Sequence, residues 1–284
     1  LEPALDPTIQ AVYRVPDSSV DGFRLVWHNA MSARRYGGEM LTYHEVVAIE
    51  HKNGKVQSVR ARDRFSGKET VIFCNVVVNA TGSWAPQIVN LVGLDVDVRP
   101  DRGTLIAFNH RFTSRVINRL HPSSDGDIFV PHGTITILGT TSFPADRPDA
   151  HTVPSEDVLK LLDIGEILIP HLRKYSILRA FSGTRPRYVA KGAEAGRGAS
   201  RGFHIVDHAV EGLEGMFSIF GGKFTTYRLM AEKMSDAVCA KLGVHTPCRT
   251  AEEPIIEPLS PDAVNKARKY FPVRGTELAA NRLG

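Results

Sequence analysis

A short apolar run that ends in small residues indicates the architecture of this protein: Val76-Val77-Val78-Asn79-Ala80-Thr81-Gly82. Three successive valines suit a strand that is buried on both faces of a parallel sheet. In open α/β sheets, ligands lie outside the carboxyl ends of the strands, where small residues let a flat ring or a phosphate approach the backbone. The run therefore predicts either a ligand-binding edge of an α/β sheet or a core strand with an ordinary glycine turn.

A second run joins a predicted strand to a long predicted helix over residues 225–242, and it reads Phe220-Gly221-Gly222-Lys223-Phe224-Thr225-Thr226-Tyr227-Arg228. The two glycines free the backbone for close contact with a ligand. The amides at the start of the helix favour an anion, and Lys223 adds a positive charge beside them. The spacing of a P-loop is absent, which excludes that class of phosphate site. We expect this junction to contact the same ligand as the first run.

A third run, Ser182-Gly183-Thr184-Arg185-Pro186, places an arginine between a glycine and a proline at the end of a predicted strand. A guanidinium group is suited to bidentate binding of a carboxylate or a phosphate. The alternative is an ordinary surface arginine in a turn. The neighbouring Arg179, Arg187 and Arg197 are predicted to be solvated.

Local patterns predict the remaining elements. Helical spacing over residues 20–37, with Asp21 as the cap, predicts a helix. The turn dipeptides Asn53-Gly54 and Ser66-Gly67 predict an antiparallel meander of three strands over residues 40–73. Further predicted elements are strands at 104–108, 127–131, 134–138, 203–207 and 216–220, a strand pair within 175–189, a helix at 154–172, a loop at 191–201, and helical character from residue 261.

Composition excludes several classes of protein. A chain of 284 residues with 42% hydrophobic and 23% charged residues is globular, and it forms two domains or one large interleaved domain. The 35 Lys and Arg residues against 31 Asp and Glu leave a net charge of only +4, which argues against a nucleic-acid-binding protein. No apolar run approaches the 18 residues or so that a membrane span needs.

Cysteine and histidine positions argue against a disulfide framework and a metal site. The chain has three cysteines, Cys74, Cys239 and Cys248. Their number is odd, and no two of them have C-x-x-C spacing. His204 and His208 are four residues apart, but they fall in a predicted strand, where that spacing does not bring them together. The chain begins with Leu1 rather than methionine, so we expect it to be a fragment of a longer protein.

Together, the motifs resemble those of the FAD-dependent glycerol-3-phosphate dehydrogenases, within the D-amino-acid-oxidase-like flavoprotein superfamily. The resemblance covers about residues 1–250 and is greatest to the catalytic A subunit of the anaerobic enzymes. It rests on the three runs above and on Gly139-Thr140-Thr141, Pro16-Asp17, Val20-Asp21, Arg24-Leu25 and Tyr227-Arg228-Leu229-Met230-Ala231-Glu232.

The resemblance implies an α/β flavin domain of the FAD/NAD(P)-binding type, interrupted by an α+β substrate domain built on a mixed sheet. The family's N-terminal G-x-G-x-x-G fingerprint is missing from this chain. On its own, the fragment is therefore expected to be inactive. The implied domains are residues 1–19 as a strand of the substrate domain, 20–95 and 200–250 as parts of the FAD-binding domain, 96–199 as the substrate domain, and 251–284 as a linker and the start of a truncated C-terminal region.

The same resemblance implies a reaction, in which sn-glycerol 3-phosphate is oxidised to dihydroxyacetone phosphate by hydride transfer to flavin, with electrons passed on to a quinone. Arg185 and Lys223 are implied to face the substrate phosphate. No catalytic base is assigned: the candidates are Ser83 and Thr104, whose hydroxyls are poor bases at neutral pH, or a group in the segment that is expected to precede this fragment. No metal ligands are implied, and the implied cofactor contacts are Val46, Ala80, Thr81, Gly82, Gly221, Gly222, Lys223, Phe224 and Thr225.

The implied partners are glycerol 3-phosphate and two further subunits, one for electron transfer and one that anchors the protein to a membrane. The implied location is the cytoplasm, with peripheral binding to the inner face of the cell membrane. Loss of the first strand and helix of the flavin domain would expose an apolar edge, so self-association is expected. Two alternatives remain: a related flavoprotein in which Arg185 binds the carboxylate of an amino acid or a 2-hydroxy acid, and a non-catalytic module that has lost FAD.

Overall fold

The computed structural model describes residues 2–16, 18–119, 128–188, 202–256 and 261–269. The chain forms two compact units: Leu1–Val20 with Tyr43–Val244, and Asp21–Thr42 with His245–Gly284. The predicted loop at 191–201 lies outside the described residues.

The strands, in chain order, are β1 His44–Lys52, β2 Lys55–Asp63, β3 Glu69–Phe73, β4 Val77–Asn79, β5 Val98–Phe108, β6 Ile117–Asn118, β7 Ile128–His132, β8 Ile135–Gly139, β9 Phe143–Pro144, β10 Ile177–Tyr188, β11 Phe203–Asp207 and β12 Met216–Gly221. The α-helices are α1 Gly22–Arg35, α2 Ala85–Asn90, α3 Ser155–Gly165, α4 Tyr227–Leu242 and α5 Pro261–Arg268.

The first sheet is the antiparallel meander β1-β2-β3, as predicted. Its first turn places Asn53 and Gly54 at φ of 51° and 71°, the left-handed pair that a two-residue hairpin turn requires. The strand begins at His44, four residues later than predicted, because Leu41–Tyr43 precede it as loop and turn. Local turn chemistry was thus sufficient to predict this sheet.

The second sheet has the order β10-β5-β8-β7-β6, and β9 also pairs with β5. Each strand pair described in it is antiparallel, whereas a mixed sheet was predicted. The two residues that join β7 to β8 permit only an antiparallel pair, since parallel strands need a long crossover. Its core contains the fully or almost fully buried Phe108, Phe129, Leu138, Leu161 and Ile169, with α3 contributing one layer.

β10 and α3 both differ from their predictions. β10 is one continuous strand rather than a strand pair, and it lies at the edge of the described sheet, where Pro186 is tolerated. α3 ends at Gly165 rather than at residue 172. Pro170 lies within the predicted range, and it lacks a helical N–H and disfavours helical backbone at the residue before it.

The N-terminal segment is loop and turn in residues 2–16 and 18–19, where a strand was predicted. Pro3, Pro7 and Pro16 lack the N–H groups that a strand would donate. The segment nevertheless contacts the second sheet's core. The Asp6 N–H donates to the Leu168 carbonyl at 2.8 Å, and Leu5 packs against the core cluster.

The third sheet has the order β11-β12-β4. β11 and β12 are antiparallel, whereas β12 and β4 are parallel, which confirms the parallel pairing predicted for the valine run. The predicted burial on both faces was wrong, because Val78 is 41% exposed in the described part of the chain, where β4 has β12 as its neighbour. Asn79 lies opposite Ser218 in this register. Helices and sheets are thus both present, as expected of an α/β fold, and the domain boundaries stay predictions.

The second unit contains α1, which confirms the helix predicted from Asp21 onward. The Asp21 carboxylate accepts hydrogen bonds from the N–H groups of Phe23 and Arg24 at 3.1 and 3.2 Å. The helical character predicted from residue 261 is confirmed by α5. Among the helices of the described ranges, none is both long enough and apolar enough to span a bilayer.

Candidate functional site

Two of the predicted motifs meet at one edge of the third sheet. β4 and β12 are parallel neighbours, so the turns that follow them emerge on the same side. Gly82 follows β4 with a φ of 61°, and Gly221 and Gly222 end β12 with φ of 77° and 70°. Residues that carry a side chain rarely adopt this left-handed backbone conformation, so glycine is favoured at each position. The structure therefore brings the first two motifs together.

The third motif borders this edge. β10 packs against β12 and against the 3-10 turn Gly82–Trp84. A Cβ placed on Gly82 would lie 4.0 Å from Cγ of Pro186. Arg185, the residue before this proline, points to the opposite face of β10 because side chains alternate along a strand. That face of the sheet is turned away from α3.

Arg185 is held by a buried carboxylate. Its Nη1 donates to Oδ2 of Asp101 at 2.8 Å, and its Nη2 donates to Oγ1 of Thr140 at 2.8 Å. Asp101 also accepts from Arg187 Nη2 at 3.1 Å and from the Ser142 hydroxyl at 2.9 Å. Two guanidinium groups against one carboxylate leave one positive charge in excess. Because 41% of the Arg185 side chain is exposed, the guanidinium is oriented and still accessible to an anion.

The prediction that Arg187 is solvated was wrong, because this residue belongs to the same cluster. Sequence reasoning also missed Asp101 and Gly103. A Cβ on Gly103 would lie 2.3 Å from Nη2 of Arg185 and 2.5 Å from Oγ1 of Thr140. Glycine at this position therefore leaves the space in which the Arg185 guanidinium lies across β5.

The two hydroxyl residues considered as a base have different environments. Thr104 is fully buried and donates to Oδ2 of Asp157, a residue of α3, at 2.5 Å. It lies on the face that α3 covers, so the structure removes it as a candidate base. Ser83 is also buried, and its Oγ has no hydrogen-bond partner within the described part of the chain.

Lys223 follows β12 and its side chain is exposed. Its N–H donates to Oγ1 of Thr226 at 3.1 Å, and a 3-10 turn, Phe224–Thr226, separates it from α4. α4 begins at Tyr227, two residues later than predicted, because the Thr226 hydroxyl stabilises this turn in place of a first helical turn. The predicted contacts that are exposed at this edge are Ala80, Thr81, Lys223, Phe224 and Thr225.

Val46 lies apart from these turns. It belongs to β1 of the first sheet and packs with the apolar cluster of Ile49, Val56 and Met216. The structure therefore does not bring it together with the glycine turns, and its contact with a cofactor stays a prediction.

The edge formed by β4 and β12 fits a flat cofactor such as flavin. Its glycine turns carry no Cβ on the open side, and behind Gly222 a Cβ would already lie 2.7 Å from Sδ of Met230. The backbone of this turn is thus packed closely against α4, where only glycine fits. The buried, unpartnered Ser83 hydroxyl lies next to Gly82 and adds a polar atom beside the turn.

Comparison with known proteins agrees with this geometry. The sequence profile of the DAO family, described as FAD dependent oxidoreductase, matches residues 1–236. The A subunit of the anaerobic glycerol-3-phosphate dehydrogenase from Escherichia coli (strain K12) is 42% identical over 255 residues, which are 89% of this chain and 47% of that relative. The A1 subunit of the anaerobic enzyme from Haloferax volcanii is 40% identical over 267 residues, which cover 90% of this chain and 46% of that relative.

A solved structure is also similar. The glycerol-3-phosphate dehydrogenase from Bacillus halodurans, determined in complex with FAD, has a TM-score of 0.71 and 26% sequence identity, and the match covers 89% of this chain and 52% of that one. The chain therefore spans about half the length of the relatives that it matches. The resemblance noted from the motifs is confirmed.

Proposed function

Since the chain belongs to the DAO family of FAD-dependent oxidoreductases, we propose that it is part of a dehydrogenase that oxidises sn-glycerol 3-phosphate to dihydroxyacetone phosphate. The observation that carries this proposal is the cluster of Arg185, Arg187 and Asp101 on β5 and β10, which has an excess positive charge and a partly exposed guanidinium. A phosphate dianion gains more from two guanidinium groups than a single carboxylate does. The identity to the relatives named above supports the same substrate.

In this proposal, each residue of the cluster has a distinct role. Arg185 binds the substrate phosphate through its exposed side. Asp101 accepts from both arginines and fixes the plane of the Arg185 guanidinium before the substrate arrives, which lowers the entropy cost of binding. Lys223 adds a second positive charge from the end of β12.

The turn residues Gly82, Gly221 and Gly222 would hold the FAD ring, with Ala80, Thr81, Phe224 and Thr225 around it. When bound, FAD supplies the acceptor for the hydride from C2 of the substrate. Positive charge from Lys223 at this edge stabilises negative charge that develops there.

The proposal extends to partners. The relatives are named as single subunits of their enzymes, which supports further subunits that carry electrons to a quinone and anchor the cytoplasmic assembly to the inner face of the cell membrane. Self-association of the chain stays a prediction. The exposed apolar side chains of Phe23, Val26 and Trp27 on α1 are consistent with it.

The test compares Arg185→Ala and Lys223→Ala with Arg179→Ala, a matched control because Arg179 is an exposed arginine of the same strand. In the full-length protein with FAD bound, binding of glycerol 3-phosphate is measured by calorimetry, and reduction is followed at the flavin absorbance band. We expect Arg185→Ala to weaken binding by roughly 10- to 100-fold, because a charge-assisted hydrogen bond is lost. Lys223→Ala should weaken binding less than Arg185→Ala does, and Arg179→Ala should bind glycerol 3-phosphate with the wild-type affinity.

Three results would contradict the proposal. Equal affinity in Arg185→Ala and Arg179→Ala would remove Arg185 from the phosphate site. Tighter binding of a 2-hydroxy acid or an amino acid than of glycerol 3-phosphate would favour the carboxylate-binding alternative. If the full-length protein takes up no FAD at all, the non-catalytic alternative would be favoured.

A further inference from the structure

A buried chain of hydrogen bonds begins at the end of β11. His208 opens the 3-10 turn His208–Glu211 and is fully buried. Its Nδ1 lies 2.7 Å from Oε2 of Glu211, and its Nε2 lies 2.8 Å from Oγ of Ser218 on β12. The order of carboxylate, imidazole and hydroxyl resembles a nucleophilic triad. Ser218 is completely buried, however, so no substrate reaches its hydroxyl and the chain of bonds must have another role.

The hydrogen bonds continue from Ser218 to β4. Asn79 is the register partner of Ser218, and its Nδ2 lies 3.4 Å from the Ser218 Oγ. The same Nδ2 donates to the carbonyl of Ala85 at 3.0 Å. Oδ1 of Asn79 accepts from the N–H of Thr81 at 3.3 Å and from its hydroxyl at 2.6 Å. Asn79 thus connects Ser218 to the turn that precedes Gly82.

Two backbone groups, one that can only accept and one that can only donate a hydrogen bond, set the direction of these hydrogen bonds. The Ala85 carbonyl can only accept and the Thr81 N–H can only donate, so the Asn79 amide has one orientation. Its Nδ2 then donates to Ser218, whose own hydrogen is left for Nε2 of His208. Nε2 therefore accepts, and Nδ1 carries the proton that it donates to the Glu211 carboxylate.

We propose that His208 is a positioning residue that, through Ser218 and Asn79, holds the Thr81–Gly82 turn in the conformation in which it contacts the flavin. This inference deepens the proposed function, because that turn is one of the predicted cofactor contacts. Glu211 fixes the imidazole, and its side chain is 31% exposed, so the chain of bonds runs from the surface to the turn. Buried donors and acceptors without partners are unfavourable, so each link constrains the next.

Hydrogen exchange of the turn tests this proposal on the chain itself, without a cofactor. The main variant is Ser218→Ala, which removes the middle link, and the matched control is Ser58→Ala, a buried serine of β2 in the first sheet. We expect exchange of the backbone amides of residues 79–84 to rise by about tenfold in Ser218→Ala and to stay unchanged in Ser58→Ala. His208→Gln should retain most of the wild-type protection, because its side-chain oxygen can accept from Ser218.

A surface variant keeps the test decisive if Ser218→Ala fails to fold. Glu211→Ala removes only the partly exposed carboxylate and leaves no buried cavity. Positioning requires that exchange rise at residues 79–84 as well as at residues 208–213. A rise confined to residues 208–213, or equal exchange of residues 79–84 in Ser218→Ala and Ser58→Ala, would overturn the proposal.

Affinity for FAD provides the second readout. We expect the dissociation constant of FAD, measured by quenching of its fluorescence, to rise by about tenfold in Ser218→Ala and to stay near the wild-type value in His208→Gln. An unchanged dissociation constant in Ser218→Ala would overturn the link to the cofactor. A full-length wild-type protein that binds no FAD would count against the proposed function, whereas the exchange comparison would still decide whether His208 positions the turn.

Discussion

Gly103 and Gly183 lie directly opposite each other on β5 and β10, and they differ in the space around them. A Cβ on Gly103 would meet Nη2 of Arg185 at 2.3 Å, whereas a Cβ on Gly183 would have no heavy atom within 4 Å. Neither glycine has a positive φ, so backbone strain does not distinguish them. The pair therefore isolates the effect of steric contact with the Arg185 guanidinium.

We predict that Gly103→Ala displaces the Arg185 guanidinium and breaks its bond to Thr140. Binding of glycerol 3-phosphate should weaken by about tenfold or more, and the free energy of unfolding should fall by about 1–3 kcal/mol because the site becomes overpacked. Gly183→Ala should change stability by only about 0.5 kcal/mol. Calorimetric titration and urea unfolding of both variants provide the measurements. Equal effects of the two substitutions would show that Gly103 does not provide space for Arg185.

At the level of single residues, the sequence predicts the chemistry of side chains better than their partners. Arg185 and Lys223 stand out because a charged residue beside glycine suits an anion site. Asp101 could not be recognised, since it lies 84 residues from Arg185 and meets it only through the register of β5 and β10. The same holds for Asn79 and Ser218, which are 139 residues apart.

At the level of elements, the two turns of the first sheet form another matched pair. Gly54 and Gly67 both have a φ of 71°. A Cβ on Gly54 would lie 2.7 Å from the carbonyl oxygen of Gly212, whereas none of the surrounding heavy atoms lies within 4 Å of a Cβ on Gly67. The Glu214 N–H also donates to the Gly54 carbonyl at 2.7 Å, so the β1–β2 turn packs closely against the segment before β12.

We predict that Gly67→Ala lowers the free energy of unfolding by about 1–2 kcal/mol, because alanine is strained in the left-handed region. Gly54→Ala should lower the free energy of unfolding by about 1–3 kcal/mol more than Gly67→Ala does, because the contact with Gly212 adds overpacking to the same strain. The difference should appear in the midpoint of urea unfolding at an unchanged slope. Equal midpoints for the two variants would mean that the turn can move away from Gly212 without cost.

Elements were predictable where a local signal defines them. The Asn53-Gly54 turn and the Asp21 cap act within a few residues, and both were predicted. β10 was not, because Gly183 and Pro186 are typical of a break, and only its position at the sheet edge lets the strand continue. The need for glycine at position 165 likewise depends on a distant segment, because a Cβ there would lie 2.6 Å from a side-chain atom of Leu138.

At the level of the whole molecule, the order of motifs predicted that distant segments form one sheet, and the parallel pairing of β4 with β12 confirms it. Ion pairs also connect distant segments of the first unit. The Glu214 carboxylate lies 3.4 Å from Nζ of Lys55, at the start of β2, and 3.5 Å from Nζ of Lys241, at the end of α4. Lys241 and then Lys55 lower the pKa of Glu214 below its ordinary value of 4.5.

The sign of the resulting pH dependence follows from the direction of this shift. A carboxylate with a lowered pKa binds protons more weakly in the folded state than in the unfolded state. Its stabilising effect is therefore complete above its ordinary pKa of 4.5 and is lost as the pH falls through its folded value. The same direction holds for the pKa of Glu69 beside Arg62 and for that of Glu232 beside Arg228. Acid should therefore weaken the folded state by removing several such pairs.

We predict that Glu214→Gln makes the melting temperature less sensitive to acid between about pH 5 and pH 3, because the variant no longer has this carboxylate to protonate. The pair is exposed, so the difference between variant and wild type should be small and should disappear in 1 M NaCl, where charges are screened within about 3 Å. Thermal unfolding followed by circular dichroism over this pH range, at low and high salt, provides the measurement. Identical acid sensitivity of wild type and variant at low salt would show that the bridge from β2 to α4 does not contribute to stability.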